Sequence, residues 1–145
     1  MKLDEKGFNL LVELEGLILH PYQDKKGIWT IGVGNTYYED GTPVKQHDTA
    51  ITKERAYGLF EHVAIGFESS INKVIPSDLN QNQYNSLFCF AWNVGKTGFL
   101  NSTLLRKIKV NPNDIGGITQ AFLMWKGKDN SLYTRRKKEI QNYFA

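Results

Sequence analysis

Between residues 22 and 44 the chain abandons the helical period that governs the sequence on either side of it. Ahead of this stretch, Phe8, Leu11, Val12 and Leu14 recur at helical spacing from about Asp4 to Glu15. Asp4 is placed to cap that helix and Gly16 to close it. Within the stretch, β-branched residues, aromatics and glycines dominate, and Lys25-Lys26-Gly27 and Glu39-Asp40-Gly41 read as turns. Two hairpins, and so an antiparallel sheet of about three strands, fit the pattern. From Thr52 the helical period returns. Ala56, Leu59, Phe60, Val63, Phe67, Ile71 and Val74 fall on one face of a helix of about twenty residues that Pro76 ends. Gln81 to Val94 forms another, with Tyr84, Leu87, Phe88, Ala91 and Trp92 as its stripe, Asn80 as its cap and Gly95 at its end. Shorter helices follow over Ser102 to about Ile108 and Asn113 to Trp125, and a basic one over Thr134 to Phe144. The order predicts an α+β fold in one domain over 1–145. A small antiparallel sheet lobe at about 16–50 is joined by the long helix to a helical lobe, at about 51–145 plus the N-terminal helix. A cleft between two such lobes is where a ligand is expected.

Other features narrow the chemistry. A chain of 145 residues buries enough surface to fold without a disulfide or a metal. Cys89 is the lone cysteine, so an internal disulfide and a cysteine-based zinc cluster are excluded. Its setting, Leu87-Phe88-Cys89-Phe90-Ala91-Trp92, reads as buried core. His20, His47 and His62 lack the spacing of a zinc peptidase. No apolar run reaches the ~18 residues of a membrane span, so stable membrane insertion is not expected. The start, Met1 to Gly7, carries acidic residues and no apolar core, unlike a signal peptide. The net charge of +3 favours polyanionic surfaces weakly. Arg135-Arg136-Lys137-Lys138 could meet phosphates, but no nucleic-acid motif accompanies them.

Glu15 stands where the first helix ends, in Leu14-Glu15-Gly16-Leu17-Ile18. The negative end of the helix dipole disfavours a charged carboxylate, and burial among apolar neighbours would disfavour it further. Both favour the protonated form that a general acid needs. Asp24 follows nine residues later, just before the first turn, and Thr30 six after that. Taken singly, these are a helix-end glutamate, a turn aspartate and a strand threonine. Together they offer the two carboxyl groups in different settings that glycoside hydrolysis requires.

Glu15-Gly16, Pro21-Tyr22-Gln23-Asp24 and Gly27-Ile28-Trp29-Thr30-Ile31-Gly32-Val33-Gly34-Asn35-Thr36 resemble the active-site signature of the phage-type lysozymes, the endolysin muramidases of glycoside hydrolase family 24. The resemblance continues through Gln81-Asn82-Gln83-Tyr84, Phe90-Ala91-Trp92-Asn93-Val94-Gly95, Ser102-Thr103-Leu104-Leu105-Arg106 and Arg135-Arg136, in order along the whole chain. It implies a lysozyme-like fold with the active site in the cleft, and hydrolysis of the β-1,4 bond between N-acetylmuramic acid and N-acetylglucosamine in bacterial peptidoglycan. Glu15 would protonate the leaving oxygen, Asp24 would assist the attacking water or stabilise positive charge on the sugar, and Thr30 would hold that water or tune Asp24. No cofactor or metal is implied. The phage setting implies a monomer that waits in the host cytoplasm until a holin releases it to the wall, where it lyses the cell. Members of the family often carry His where this chain has Asn35, which leaves catalysis intact and bears on the pH profile.

Leu132, Arg136, Ile140 and Phe144 are spaced by four, so Arg136 falls within an apolar stripe and needs an anionic partner. The resemblance puts an arginine of this helix against the catalytic Glu. Arg136 is the expected partner of Glu15 and Arg135 the alternative. Asn35, Trp92, Ser102 and Thr103 are candidate substrate contacts. Core packing for Trp92, and helix capping for Ser102 and Thr103, are the competing readings. A lytic transglycosylase would cut the same bond with one acidic residue, and a non-catalytic wall binder would cut none.

Overall fold

The computed structural model describes residues 1–145. It consists of α1 (Glu5–Glu15), β1 (Ile18–Gln23), β2 (Trp29–Gly32), α2 (Lys53–Asn72), α3 (Gln81–Val94), α4 (Lys96–Leu100), α5 (Thr103–Val110), α6 (Ile115–Leu123) and α7 (Tyr133–Tyr143). A short 3₁₀ turn, Lys128–Asn130, precedes α7. This is the α+β class expected, with helices predominant. None of the helices is long and apolar enough to cross a membrane. The chain divides into two compact units, Leu11–Gly66 and Met1–Leu10 with Phe67–Ala145. The divisions fall inside α1 and inside α2, so each of these helices contributes to both units.

In the first unit the sheet has two antiparallel strands, not three. Gln23 pairs with Trp29 and Tyr22 with Thr30, and the register slips between Tyr22 and Ile18, a stretch that contains Pro21. The residues expected to make a third strand reduce to two isolated bridges, Ile31 with Asn35 and Tyr37 with Pro43. Pro43 takes a non-hydrogen-bonded position of this hairpin, where its missing N–H is tolerated, flanked by bonds from the Tyr38 N–H to Thr42 O at 2.9 Å and from the Val44 N–H to Thr36 O at 3.0 Å. That turn forms where the sequence places it: the Gly41 N–H donates to Tyr38 O at 3.0 Å. Ile31, Val44 and Leu59 form the core of this unit, with Trp29, Tyr38 and Ile51 packed against it.

The second unit is built around α3. A capping box starts it: Asn80 Oδ1 accepts from the Gln83 N–H at 2.8 Å, and Gln83 Oε1 accepts from the Asn80 N–H at 2.9 Å. Every residue from Gln83 to Ala91 is buried, so α3 is enclosed on all sides and not only along the stripe read from sequence. Phe90 packs edge-on against Phe99, Phe122 and Trp125. α7 packs along α3. Its buried line is Arg136, Glu139 and Tyr143, while Leu132, Ile140 and Phe144 are only half-buried. On α2, Val63 points to solvent and Ala64 and Glu68 take its expected place inside.

Three phenols are held by this packing. Burial, together with the neighbouring Asp48 that accepts its hydroxyl at 2.8 Å, pushes Tyr38 up to about 12. Burial pushes Tyr84 and Tyr143 upward further. A phenol whose folded value is raised contributes stability that is intact below the unfolded value of about 10 and is lost as pH rises through the folded one. The protein is therefore expected to lose stability steeply above pH ~10. The two buried groups, Tyr84 and Tyr143, contribute together about 3 kcal/mol per pH unit there. Urea unfolding at stepped alkaline pH, with ionisation followed by ultraviolet absorbance, checks this. A flat stability from pH ~9 to ~12 would contradict it.

Candidate active site

Glu15 is the last residue of α1, and helical hydrogen bonding ends there. The Gly16 N–H donates to Val12 O at 2.8 Å, and Gly16 then takes φ +90°, which a side chain would strain. Two residues later β1 begins. Glu15 is exposed, so the fold does not supply the apolar burial expected from its neighbours. The reason is local. Leu14 and Leu17, on either side, are only half-buried.

Asp24 occupies the turn between β1 and β2, and the turn is organised around its carboxylate. Oδ1 accepts from the Lys26 N–H at 2.8 Å and from the Ile28 N–H at 2.9 Å. The Asp24 N–H donates to Ile28 O at 2.9 Å, and the Gly27 N–H donates to Asp24 O at 2.9 Å with Gly27 at φ +80°. Oδ2 takes no part in the turn. Thr30 lies on β2, 3% exposed, and its hydroxyl donates to the same Ile28 O at 2.8 Å. The peptide groups of Ile28 thus tie Asp24 and Thr30 into one rigid unit. Sequence reading gave both residues but not this anchor, because a backbone contribution leaves no side-chain signal.

Asn35 forms both backbone bonds of its bridge with Ile31, at 2.8 and 3.0 Å. Its side chain is buried and Oδ1 has no hydrogen-bond partner. Ser102 caps α5: its hydroxyl accepts from the Leu105 N–H at 3.1 Å and donates to Phe99 O at 2.7 Å. Both capacities of a buried hydroxyl are thereby used within the helix start, which is the capping reading. Thr103 Oγ1 accepts from Arg106 Nη2 at 2.9 Å. Trp92 is half-buried, stacked on Phe88 with centroids 5.8 Å apart and edge-on to Phe67 at 5.1 Å.

The buried Arg136 has the anion its place in the stripe demanded. That anion is Glu139, one helical turn on, which takes Arg136 Nη1 on Oε1 and Arg135 Nε on Oε2, the latter at 3.1 Å. Arg136 also donates through Nη2 to Asn93 Oδ1 and through Nε to Trp125 O at 3.0 Å, and its guanidinium lies 4.9 Å over the Phe90 ring. Arg135 Nη2 donates to Cys89 O at 2.8 Å. Burial pushes the Glu139 carboxyl up, and the two guanidinium groups offset this only in part. Sequence reading missed Glu139, although its i,i+3 and i,i+4 spacing from two arginines was a signal available there.

Comparison with known proteins decides the family. Residues 12–139 match the family described as phage lysozyme. The chain belongs to the phage lysozyme family. It is 38% identical over 142 residues to the endolysin of Salmonella phage P22, covering 96% of this chain and 95% of that one. It is 35% identical over 135 residues to an endolysin of Acyrthosiphon pisum secondary endosymbiont phage 1, covering 92% and 87%. Among solved structures, the crystal structure of a point mutant of P22 lysozyme superposes with a TM-score of 0.90 at 35% identity, covering 100% of this chain and 99% of that one. Membership makes the chain a lysozyme-type glycoside hydrolase and bears out the lysozyme-like fold read from the sequence. Asp24 and Thr30, joined through Ile28, and Glu15 at the end of α1 are its candidate catalytic groups.

Proposed function

We propose that this phage lysozyme hydrolyses the β-1,4 bond between N-acetylmuramic acid and N-acetylglucosamine in bacterial peptidoglycan, with Glu15 as general acid. The observation that carries the reading is the Asp24–Ile28–Thr30 unit. Asp24 Oδ1 is fixed by two peptide N–H groups, which leaves Oδ2 to act. The Thr30 hydroxyl proton is given to Ile28 O, which leaves its oxygen to act as an acceptor. Two acceptors can take the two protons of one water and turn its lone pair toward the sugar carbon. Glu15, exposed at a helix end, gives its proton to the leaving oxygen. Trp92 and Thr103 remain the candidate sugar contacts, while Asn35 is buried and Ser102 is spent on capping α5. The biological role is lysis of the bacterial host. Holin-dependent release of a monomer from the host cytoplasm is one route. Similarity to proteins named SAR-endolysin, 35% identical over 130 residues in Enterobacteria phage PA-2, supports a second route that needs no holin.

The test is product analysis. The protein is expected to release muropeptides with hydrated reducing ends from isolated peptidoglycan. Products ending in 1,6-anhydro rings would move it to the transglycosylases, and no products would leave a wall binder. Asp24→Asn keeps Oδ1 for the turn but loses the charge. It is expected to lower the rate at least ~100-fold with little change in melting temperature. A variant as active as the wild type would remove Asp24 from the mechanism.

A further inference from the structure

Charge is divided unevenly between the two units. Residues 11–66 carry five Lys/Arg against eight Asp/Glu, while 1–10 with 67–145 carry thirteen against seven. The basic excess has a focus on α5. Leu104, Leu105 and Ile108 are buried, which leaves Arg106, Lys107, Lys109 and Val110 facing outward. Arg106 and Val110 are one turn apart on the outermost line, with Lys107 and Lys109 to either side. None of the three cations pairs with a carboxylate. Arg106 donates to Asn101 O at 3.1 Å and to Thr103 Oγ1, and the nearby Asp114 is used as the cap of α6, accepting from the Gly117 N–H at 3.1 Å. Lys107 and Lys109 are also favoured by the carbonyl end of α5. Nothing of that kind explains Val110, which is 87% exposed, or Ile115, 66% exposed at the start of α6 just across the turn.

We propose that this face of α5, with Ile115, seats the protein peripherally on a phospholipid bilayer bearing anionic headgroups. The ammonium and guanidinium groups meet lipid phosphates, and Val110 and Ile115 enter between the chains. A purely electrostatic partner, such as a soluble polyanion, would use the cations and gain nothing from the two exposed aliphatic side chains. The pairing of both kinds of group selects lipid. An eight-residue helix is about 12 Å long and cannot span a ~30 Å core, so the attachment is to the surface only.

Co-sedimentation with vesicles tests this. The wild type is expected to bind equimolar phosphatidylglycerol/phosphatidylcholine vesicles at low salt, and to ignore phosphatidylcholine alone. Each cation near the surface contributes about fivefold to partitioning, so Lys107→Glu with Lys109→Glu is expected to lower it at least ~20-fold. Val110→Ser is expected to lower vesicle binding several-fold without weakening binding to inorganic polyphosphate. Lys53→Glu, on the other unit, is expected to change neither. Digestion of isolated peptidoglycan at the wild-type rate by every variant shows that the fold is intact, and it is a separate readout from the lipid one. No binding of the wild type to anionic vesicles overturns the proposal. So does a Val110→Ser variant that binds them undiminished, which would assign the face to phosphate charge alone, or a Lys53→Glu variant that loses as much as the α5 pair, which would assign binding to net charge.

Discussion

Glu15→Gln is expected to lower the rate of peptidoglycan solubilisation by roughly two to four orders of magnitude while leaving the protein as stable as before, or slightly more so. The two effects have one source. Gln fills the same space and keeps a hydrogen-bonding head, but it has no proton to give to a leaving glycosidic oxygen. The same substitution removes a negative charge from the last residue of α1, where the helix carbonyls already concentrate negative potential. The helix-end part of that change is worth up to ~1 kcal/mol. A residue kept for packing would behave in the opposite way, with stability and activity falling together. Glu13→Gln is the control. It is exposed on the same helix but two positions away, and so faces another direction. The measurement is a paired one, release of soluble muropeptides and thermal unfolding on the same preparations. Retained activity in Glu15→Gln would dismiss it as the acid, and activity lost together with several kcal/mol of stability would reassign it to structure.

Local rules account for the parts of this fold that were legible in the sequence. Asp4, Asn80 and Ser102 cap the helices they precede, and Gly16 and Gly95 close the helices that end at Glu15 and Val94. Each is a contact within a few residues, so residue type and spacing suffice. Where the sequence misled, a longer-range effect decided. The expected third strand is reduced to the two bridges at Asn35 and Pro43. Val63 lies at helical spacing from its apolar neighbours, yet Ala64 and Glu68 face inward, because the other segments packed against α2 set its buried side. On α7 a four-residue spacing suggested Leu132, Ile140 and Phe144 as the inner stripe. The enclosed residues are Arg136, Glu139 and Tyr143, since a buried guanidinium brings its counter-charge in with it. Of the candidate site, Glu15, Asp24 and Thr30 were singled out by a spacing that resembles a family signature. The hydrogen bonds that fix Asp24 and Thr30 run through the backbone of Ile28, which any residue other than proline would supply, and so they carry no sequence mark.

Glu139→Ala is expected to destabilise the protein by about 3–5 kcal/mol, a fall in melting temperature of roughly 10 °C. Glu139 and Arg136 are both fully buried, and the side chain of Arg135 is only 9% exposed. Removing the carboxylate takes from both guanidinium groups the anion they share, and an interior position cannot replace it with solvent. The cost is that of uncompensated charge, which exceeds the worth of the pair when intact. Arg136→Met should cost less for the charge but more for polarity. It orphans Asn93 Oδ1 and Trp125 O, and each unsatisfied buried acceptor costs ~1–3 kcal/mol. Combining the two substitutions should therefore cost less than their sum, with a coupling of ~0.5–3 kcal/mol. Urea unfolding of the four proteins of this cycle measures it. Additive effects, or a Glu139→Ala variant within ~1 kcal/mol of the wild type, would show that the arginines are neutralised elsewhere and that Glu139 is not the anion around which α7 is held to α3.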